Sequence, residues 1–365
     1  MPLVPTDPIP IASLPTDRRS MLAGIGGLAA GAFLASTANA GPLDPPTGPI
    51  APTPGPEPRT PINATNTPGN ASALFRFTQP GSYYLTANIT GVSGKHGIEI
   101  AADGVTIDLM GFDLLGVPGV GSFTGITTAS SGLRNITIRN GSVRNWSFHG
   151  INLSANGPAA NGLVDAVNSS GNASSGITLG TNFTVHNCTT TENNFTGVVA
   201  GSGCTIISCS AGNNGSNGFS TGTGCMVTNC ASTGNTIDGI LAVTGSTVAN
   251  CCVSGNGRHG ISPNGSCLVR GNSCRGHAAG AGIRIFSTDN RVEANSCTGN
   301  SVGVQTLSAG NFITGNTCAG NTTNWDIAAN NVCLVVAATA IAAAFSGNSG
   351  GASPGSTNPY ANYTY

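Results

Sequence analysis

A glycine followed by an apolar residue recurs at Gly97-Ile98, Gly125-Ile126, Gly150-Ile151, Gly176-Ile177, Gly197-Val198, Gly218-Phe219, Gly239-Ile240, Gly260-Ile261, Gly282-Ile283 and Gly303-Val304. The steps are 28, 25 and 26 residues, then 21, 21, 21, 21, 22 and 21. A fixed period of about 20 to 30 residues marks a solenoid, whose repeats bury their apolar faces only against one another. The repeats hold short β-branched runs broken by Gly and Asn, without the Ala/Leu-rich helices of helical solenoids or the spacing of leucine-rich repeats. A parallel β-helix remains, in which each repeat is one coil and equivalent residues stack about 4.8 Å apart along the axis.

Stacking assigns roles to the recurrent residues. Asn193, Asn214, Asn235 and Asn256 are expected to form a ladder of side-chain amides, and the repeat glycines to supply positive φ at a recurrent bend. Cys188, Cys209, Cys230 and Cys251 make a further column, continued by Asn272, Asn295 and Asn316. Two residues on, the slot reads Thr190, Ala211, Ser232, Val253, Cys274, Cys297 and Cys318, so small residues alternate between two inward positions. For the 12 cysteines two readings stay open: buried free thiols acting as small apolar fillers, or a few disulfides such as Cys204 to Cys225. The lack of CxxC pairs argues against a zinc site, and neither a metal site nor a cofactor is expected.

Charged residues make up 7% of the chain, the formal net charge is -1, and no Lys/Arg run exists beyond the first twenty residues. Nucleic acid is thereby excluded as a partner, since it requires a basic surface that releases counterions. Arg18 and Arg19, the charge-free apolar run from Met21 to Ala35 and the Ala38-Asn39-Ala40 site read as an export signal over 1–40 that resembles the twin-arginine type, with Asp17 and Ala23 departing from that pattern and the general secretory route as the alternative. Residues 41–69 carry ten prolines and read as an extended spacer. The β-helix is expected over 70–333 and a C-terminal cap and tail over 334–365, with "FRFTQPGSYYLTANIT" covering the other end. The apolar run 332–345 is too short to span a bilayer. The implied location is the periplasm, the cell surface or the medium.

The stretches "PGSYYLTANITG" (80 to 91), "KHGIEIAADGVTIDLMGFDLLGVPG" (95 to 119), the repeats from Asn182 to Asn330 and the tail "NPYANYTY" together cover nearly all of the chain after the signal. In these the chain resembles the right-handed parallel β-helix superfamily of pectate-lyase-like fold, and within it the exported bacterial repeat proteins. The resemblance implies an all-β, right-handed parallel β-helix of about ten to twelve coils with capped ends. It is specific for fold and not for activity, because this fold hosts lyases, hydrolases, epimerases, adhesins and scaffolds.

A site must therefore come from the residues. Laying "VTID" over "ITIR" puts Asp108 beside Arg139, an inter-coil ion pair rather than a catalytic acid. The column just before each repeat glycine reads His96, Thr124, His149, Ser175, Thr196, Asn217, Asp238, His259, Ala281 and Val302. Arg258 lies beside Asp238 and His259, and one position earlier stand Lys95, Phe123, Phe148 and Phe195, with Trp146 close by. Such a strip suits a sugar, because rings stack on pyranose faces and polar tips hold hydroxyls; the competing reading is ordinary polar turn residues. The catalytic candidates are His259, Arg258, Asp238 and His149, with His259 as base; the substrate-binding candidates are Trp146, Phe148 and Arg258. The function expected is contact with extracellular or envelope polysaccharide. Two alternatives stay open: a lyase or epimerase acting on uronate-containing glycans, and a purely structural or adhesive envelope protein.

Overall fold

The computed structural model describes residues 59–119, 121–337, 345–347, 358 and 360–364. The export signal, most of the spacer and the middle of the 332–345 run lie outside them. Every regular element described is a strand, and no described helix is long and apolar enough to cross a membrane.

Thirteen strands form one parallel sheet, sheet 1, running from Ala73–Phe77 to Phe345–Gly347, and 24 strands form sheet 2. A regular coil crosses sheet 1 once and sheet 2 twice, as Val198–Val199, Thr205–Ile207 and Ser210–Gly212 do. Each of these pairs in parallel with its equivalent 21 residues on, at Phe219, Met226 and Ala231. The result is a parallel β-solenoid of about 13 turns, near the ten to twelve expected. The ten repeat glycines undercount the coils because Ala73 pairs with His96 and Val304 with Trp325, so Leu74 and Asn324 fill the glycine slot in end coils.

The bends explain the periodic residues. In the coil that begins at Val198, Gly203, Ser208 and Asn213 have φ of 69, 54 and 53°, and each precedes a buried residue: Cys204, Cys209 and Asn214. The next coil repeats this at Gly224, Asn229 and Gly234, ahead of Cys225, Cys230 and Asn235. A left-handed residue turns the following N–H inward, and a buried N–H must find an acceptor. The next coil supplies it from the equivalent side chain. Asn193 N–H donates to Asn214 Oδ1 at 3.2 Å, Cys188 N–H to Cys209 Sγ at 3.4 Å and Phe183 N–H to Cys204 Sγ at 3.4 Å. Asparagine, cysteine and serine thus hold one kind of position because each carries a short acceptor.

The amide ladder runs as expected from Asn193 to Asn256, with Nδ2 to Oδ1 distances of 2.9 to 3.0 Å. It also extends to Asn172 below, and above Asn256 a histidine enters it. His277 Nε2 lies 3.2 Å from Asn256 Nδ2, and its Nδ1 lies 2.8 Å from Asn300 Oδ1. The ring must accept at Nε2 and donate from Nδ1, the pattern of a neutral imidazole.

The repeat glycines differ from expectation, since none from Gly97 to Gly303 has positive φ. Their role is close approach. A Cβ on Gly218 would lie 2.2 Å from Ser232 Oγ, 2.7 Å from Gly239 O and 2.8 Å from Asn235 Nδ2. The apolar residue after each glycine points inward. Ile98, Ile126, Ile151, Ile177, Val198, Phe219, Ile240, Ile261, Ile283, Val304 and Trp325 form a continuous buried stack. Each contributes about 1.5–3 kcal/mol of apolar burial.

All twelve cysteines are free thiols, and all but Cys252 are buried. Burial pushes the Cys267 thiol up and the Cys333 thiol to about 12, which keeps them in the unreactive thiol form. Titration of the native protein with a thiol-specific disulfide reagent is therefore expected to modify Cys252 rapidly and the rest only on unfolding. Rapid modification of several thiols would contradict the buried columns.

At the N-terminal end, Thr60–Pro61 pairs with Tyr83–Tyr84, inside the stretch read as spacer, and Pro68 makes an antiparallel bridge to Phe75. That antiparallel contact covers the first strand of sheet 1. At the other end Asn362–Thr364 pairs with Val335–Ala337 and with Thr317–Cys318, so the tail completes sheet 2.

Candidate functional site

The column preceding the repeat glycines lies at the edge of sheet 1, and its polar side chains have structural work. His96 Nδ1 accepts the Thr124 N–H at 2.9 Å, His149 Nδ1 that of Ser175 at 3.2 Å and His259 Nδ1 that of Ala281 at 2.9 Å. Asn217 Oδ1 and Asp238 Oδ1 accept the N–H of Asp238 and His259 at 3.0 and 3.1 Å. Each residue thus holds the edge of the next coil. With Nδ1 accepting, a neutral ring carries its proton on Nε2. His259 accordingly presents a donor, not the base expected of it. Burial pushes all three histidines down, His259 to about 4, where Arg284 and Arg258 add to burial and Asp238 opposes it.

Asp238 is 0% exposed and is gripped by Arg258, whose Nε and Nη2 each donate to a carboxylate oxygen at 2.8 Å. Burial alone would raise the Asp238 carboxyl, but the Arg258 hydrogen bonds and charge outweigh it and hold the group below the usual carboxylate range. Asp238 is therefore a fixed anion. Arg258, with 49% of its side chain exposed, faces solvent above it.

Two further residues complete the cluster. Arg284 follows Ile283 on the outward side of sheet 1 and places Nη1 2.8 Å from His259 Nε2. Its guanidinium lies 5.0 Å from the Phe286 ring centre, and Phe286 also meets the His259 ring edge-on. Neither was singled out from the sequence: Arg284 stands two residues after its repeat glycine, in an outward column whose residue type changes from coil to coil, and Phe286 stands two residues further on.

The other candidates divide. His149 lies five coils from His259, about 24 Å at the inter-strand spacing, so the two do not share a site. Phe148 is 36% exposed and packs against His149, and Phe195 is 60% exposed. Trp146 corrects the sequence reading: it is 2% exposed, donates Nε1 to Leu114 O at 3.1 Å and fills the space left by Gly91, Gly97 and Gly125. A ring so placed cannot stack on a sugar. Asp108 pairs with Arg139 at 3.0 Å, as the register implied, and with Arg59 at 3.1 Å.

Sheet 2 holds a pair that the sequence reading missed. Asp165 and His186 stand in register on neighbouring coils, with Oδ1 2.8 Å from Nδ1 and both side chains partly exposed. Their 21-residue separation was the available signal, hidden by the longer steps of the early repeats.

No family model matches the chain, and no curated protein matches it in sequence. Solved structures do match in shape. The A-module of mannuronan C-5 epimerase AlgE6 from Azotobacter vinelandii superposes with a TM-score of 0.52 at 16% identity, over 84% of this chain and 87% of that one. Two variants of the periplasmic alginate epimerase AlgG give TM-scores of 0.50 and 0.52 at 13% identity, each over 84% of this chain and 82% of theirs. At such identities the likeness establishes a shared β-solenoid fold.

Proposed function

We propose that this is an exported protein that contacts polysaccharide along the outer face and edge of sheet 1. One observation carries the reading: Phe123, Phe148, Ser174, Phe195, Ser216, Ile237 and Arg258 form an unbroken column, one residue per coil, each linked to the next by a backbone hydrogen bond. The exposed Phe148 and Phe195 rings and the half-exposed Phe123 ring on a rigid scaffold, with Arg258 at one end and the half-exposed Ser216 between, offer an extended chain both stacking surfaces and polar tips. The alginate epimerases that share the fold support the same ligand class. Export rests on Arg18-Arg19 and the apolar run after them.

A second reading, a lyase or epimerase acting on a uronate chain, is favoured by the Asp165–His186 pair. A carboxylate on Nδ1 leaves Nε2 as the accepting nitrogen of a neutral ring, the arrangement of a general base. One experiment addresses both readings. The full chain is incubated with uronate-containing and neutral polysaccharides, and retention is scored together with new unsaturated or reducing ends and C5 inversion. Retention without product is the expected result. Product formation that is lost in His186→Ala would replace it with the second reading, and neither retention nor product would remove both. Phe195→Ala is expected to weaken retention about tenfold, the range of an aromatic contact residue. Arg258→Ala is the poorer probe, since it strands the buried Asp238 carboxylate and tests stability first.

A further inference from the structure

We propose that Arg284, His259 and Ser262 form an oxyanion-binding subsite on the outer face of sheet 1, taking a carboxylate or a sulfate ester. The inference uses the same face as the polysaccharide reading and adds the charge class of the ligand. It follows from counting donors. A neutral imidazole has one lone pair and one N–H. Around His259 the Ala281 N–H stands 2.9 Å from Nδ1 and Arg284 Nη1 stands 2.8 Å from Nε2, so two donors approach a ring that can accept one. With Nδ1 taken by the backbone, as in His96 and His149, Nε2–H and the guanidinium point their protons at each other.

The neighbouring groups do not relieve this. Arg284 Nε is buried and finds no acceptor within the protein, and Arg284 forms no ion pair among the described residues. Asp238 is already committed to Arg258 and to the His259 N–H. Ser262 follows Ile261, which pairs with Ile283, and so stands beside Arg284; it is fully buried, and its hydroxyl lies near Asp238 without closing a hydrogen bond. With His259 neutral, Asp238 at -1 and Arg258 and Arg284 at +1 each, the cluster carries one net positive charge. A carboxylate or sulfate oxyanion supplies acceptors for Nε2–H and the Arg284 fork, gives the Ser262 hydroxyl a partner and cancels that charge.

Histidine side-chain NMR of the full chain tests this. Inorganic sulfate, galacturonate and glucose are titrated separately at constant ionic strength, and the His259 Nε2 resonance is followed, with the interior His277 resonance reporting an intact fold. Saturable movement of His259 with an anion, and none with glucose, is expected. A response to galacturonate alone assigns the carboxylate source, and a response to sulfate alone assigns the ester. Arg284→Met should weaken the response at least tenfold; if it also disturbs His277, Arg284→Lys, which keeps the charge and loses the fork, should show a smaller loss in the same direction. Equal movement with glucose, no saturable movement with either anion, or an unchanged response in the Arg284 variants would overturn the subsite. Retention of neutral polymers without any anion response would leave the polysaccharide reading and remove this one. An anion response without polymer retention would do the reverse.

Discussion

Asn214→Leu is expected to destabilise the solenoid by about 4 kcal/mol, from several buried polar groups losing partners at 1–3 kcal/mol each. Asn214 Oδ1 accepts both the backbone N–H and the Nδ2 of Asn193, at 3.2 and 3.0 Å, and its Nδ2 donates to Thr190 O and Asn235 Oδ1. Leucine matches the amide in bulk but offers no acceptor, so the Asn193 N–H is left unmet in a dry interior. Asn214→Cys should cost about half as much, because Cys209 and Cys230 already accept the equivalent N–H in a neighbouring column. Urea denaturation of the three proteins separates the cases. Equal stability of the Leu and Cys variants would mean that the ladder fills space and does not satisfy the bends.

Lowering the pH from 7 to 4 is expected to cost about 3 kcal/mol of stability through His259 alone, at 1.36 kcal/mol per pKa unit between its ordinary value and about 4. The sign follows from proton counting. A depressed folded-state pKa means that the unfolded chain binds more protons in this window, so stability rises with pH and is lost as pH falls below about 6.5. Burial depresses His96, His149 and His277 in the same direction, and protonating His277 also breaks its acceptance from Asn256. The groups facing His259 are Asp238, Arg258, Arg284 and His277. Below the carboxylate range, protonation of Asp113 and Asp238, both held down by arginines, adds a further loss. Urea midpoints at intervals from pH 7 to 4 should fall throughout. His259→Asn, which copies the Asn217 contact, should flatten part of the slope, and a flat wild-type profile would contradict the buried neutral histidines.

The fold was legible because its constraint repeats. A 21-residue step with Gly, Cys and Asn in fixed slots permits few structures, and the inward alternation of Cys188 and Thr190 followed from register alone. What stayed hidden was why each slot exists. The positive φ belongs to Ser208, Asn213 and their equivalents, whose letters vary because several residues tolerate that conformation, whereas the recurrent glycines serve a clearance between coils. His277 escaped notice because it replaces Asn in the ladder by chemistry rather than by letter. The site was harder still. Trp146 fills a gap made by glycines of other coils, and Arg284 reaches His259 from an outward column whose residue type changes from coil to coil, so neither placement is encoded locally.

The most direct test of the proposed ligand face compares two truncations on opposite sheets. Phe195, on the sheet 1 edge, and Met226, 46% exposed on sheet 2, are each replaced by serine, and retention on an acidic polysaccharide is measured for the full chains. Loss of retention for Phe195→Ser with Met226→Ser unchanged is the predicted result. Equal retention of both variants, or loss confined to Met226→Ser, would contradict the assignment of the ligand face to sheet 1.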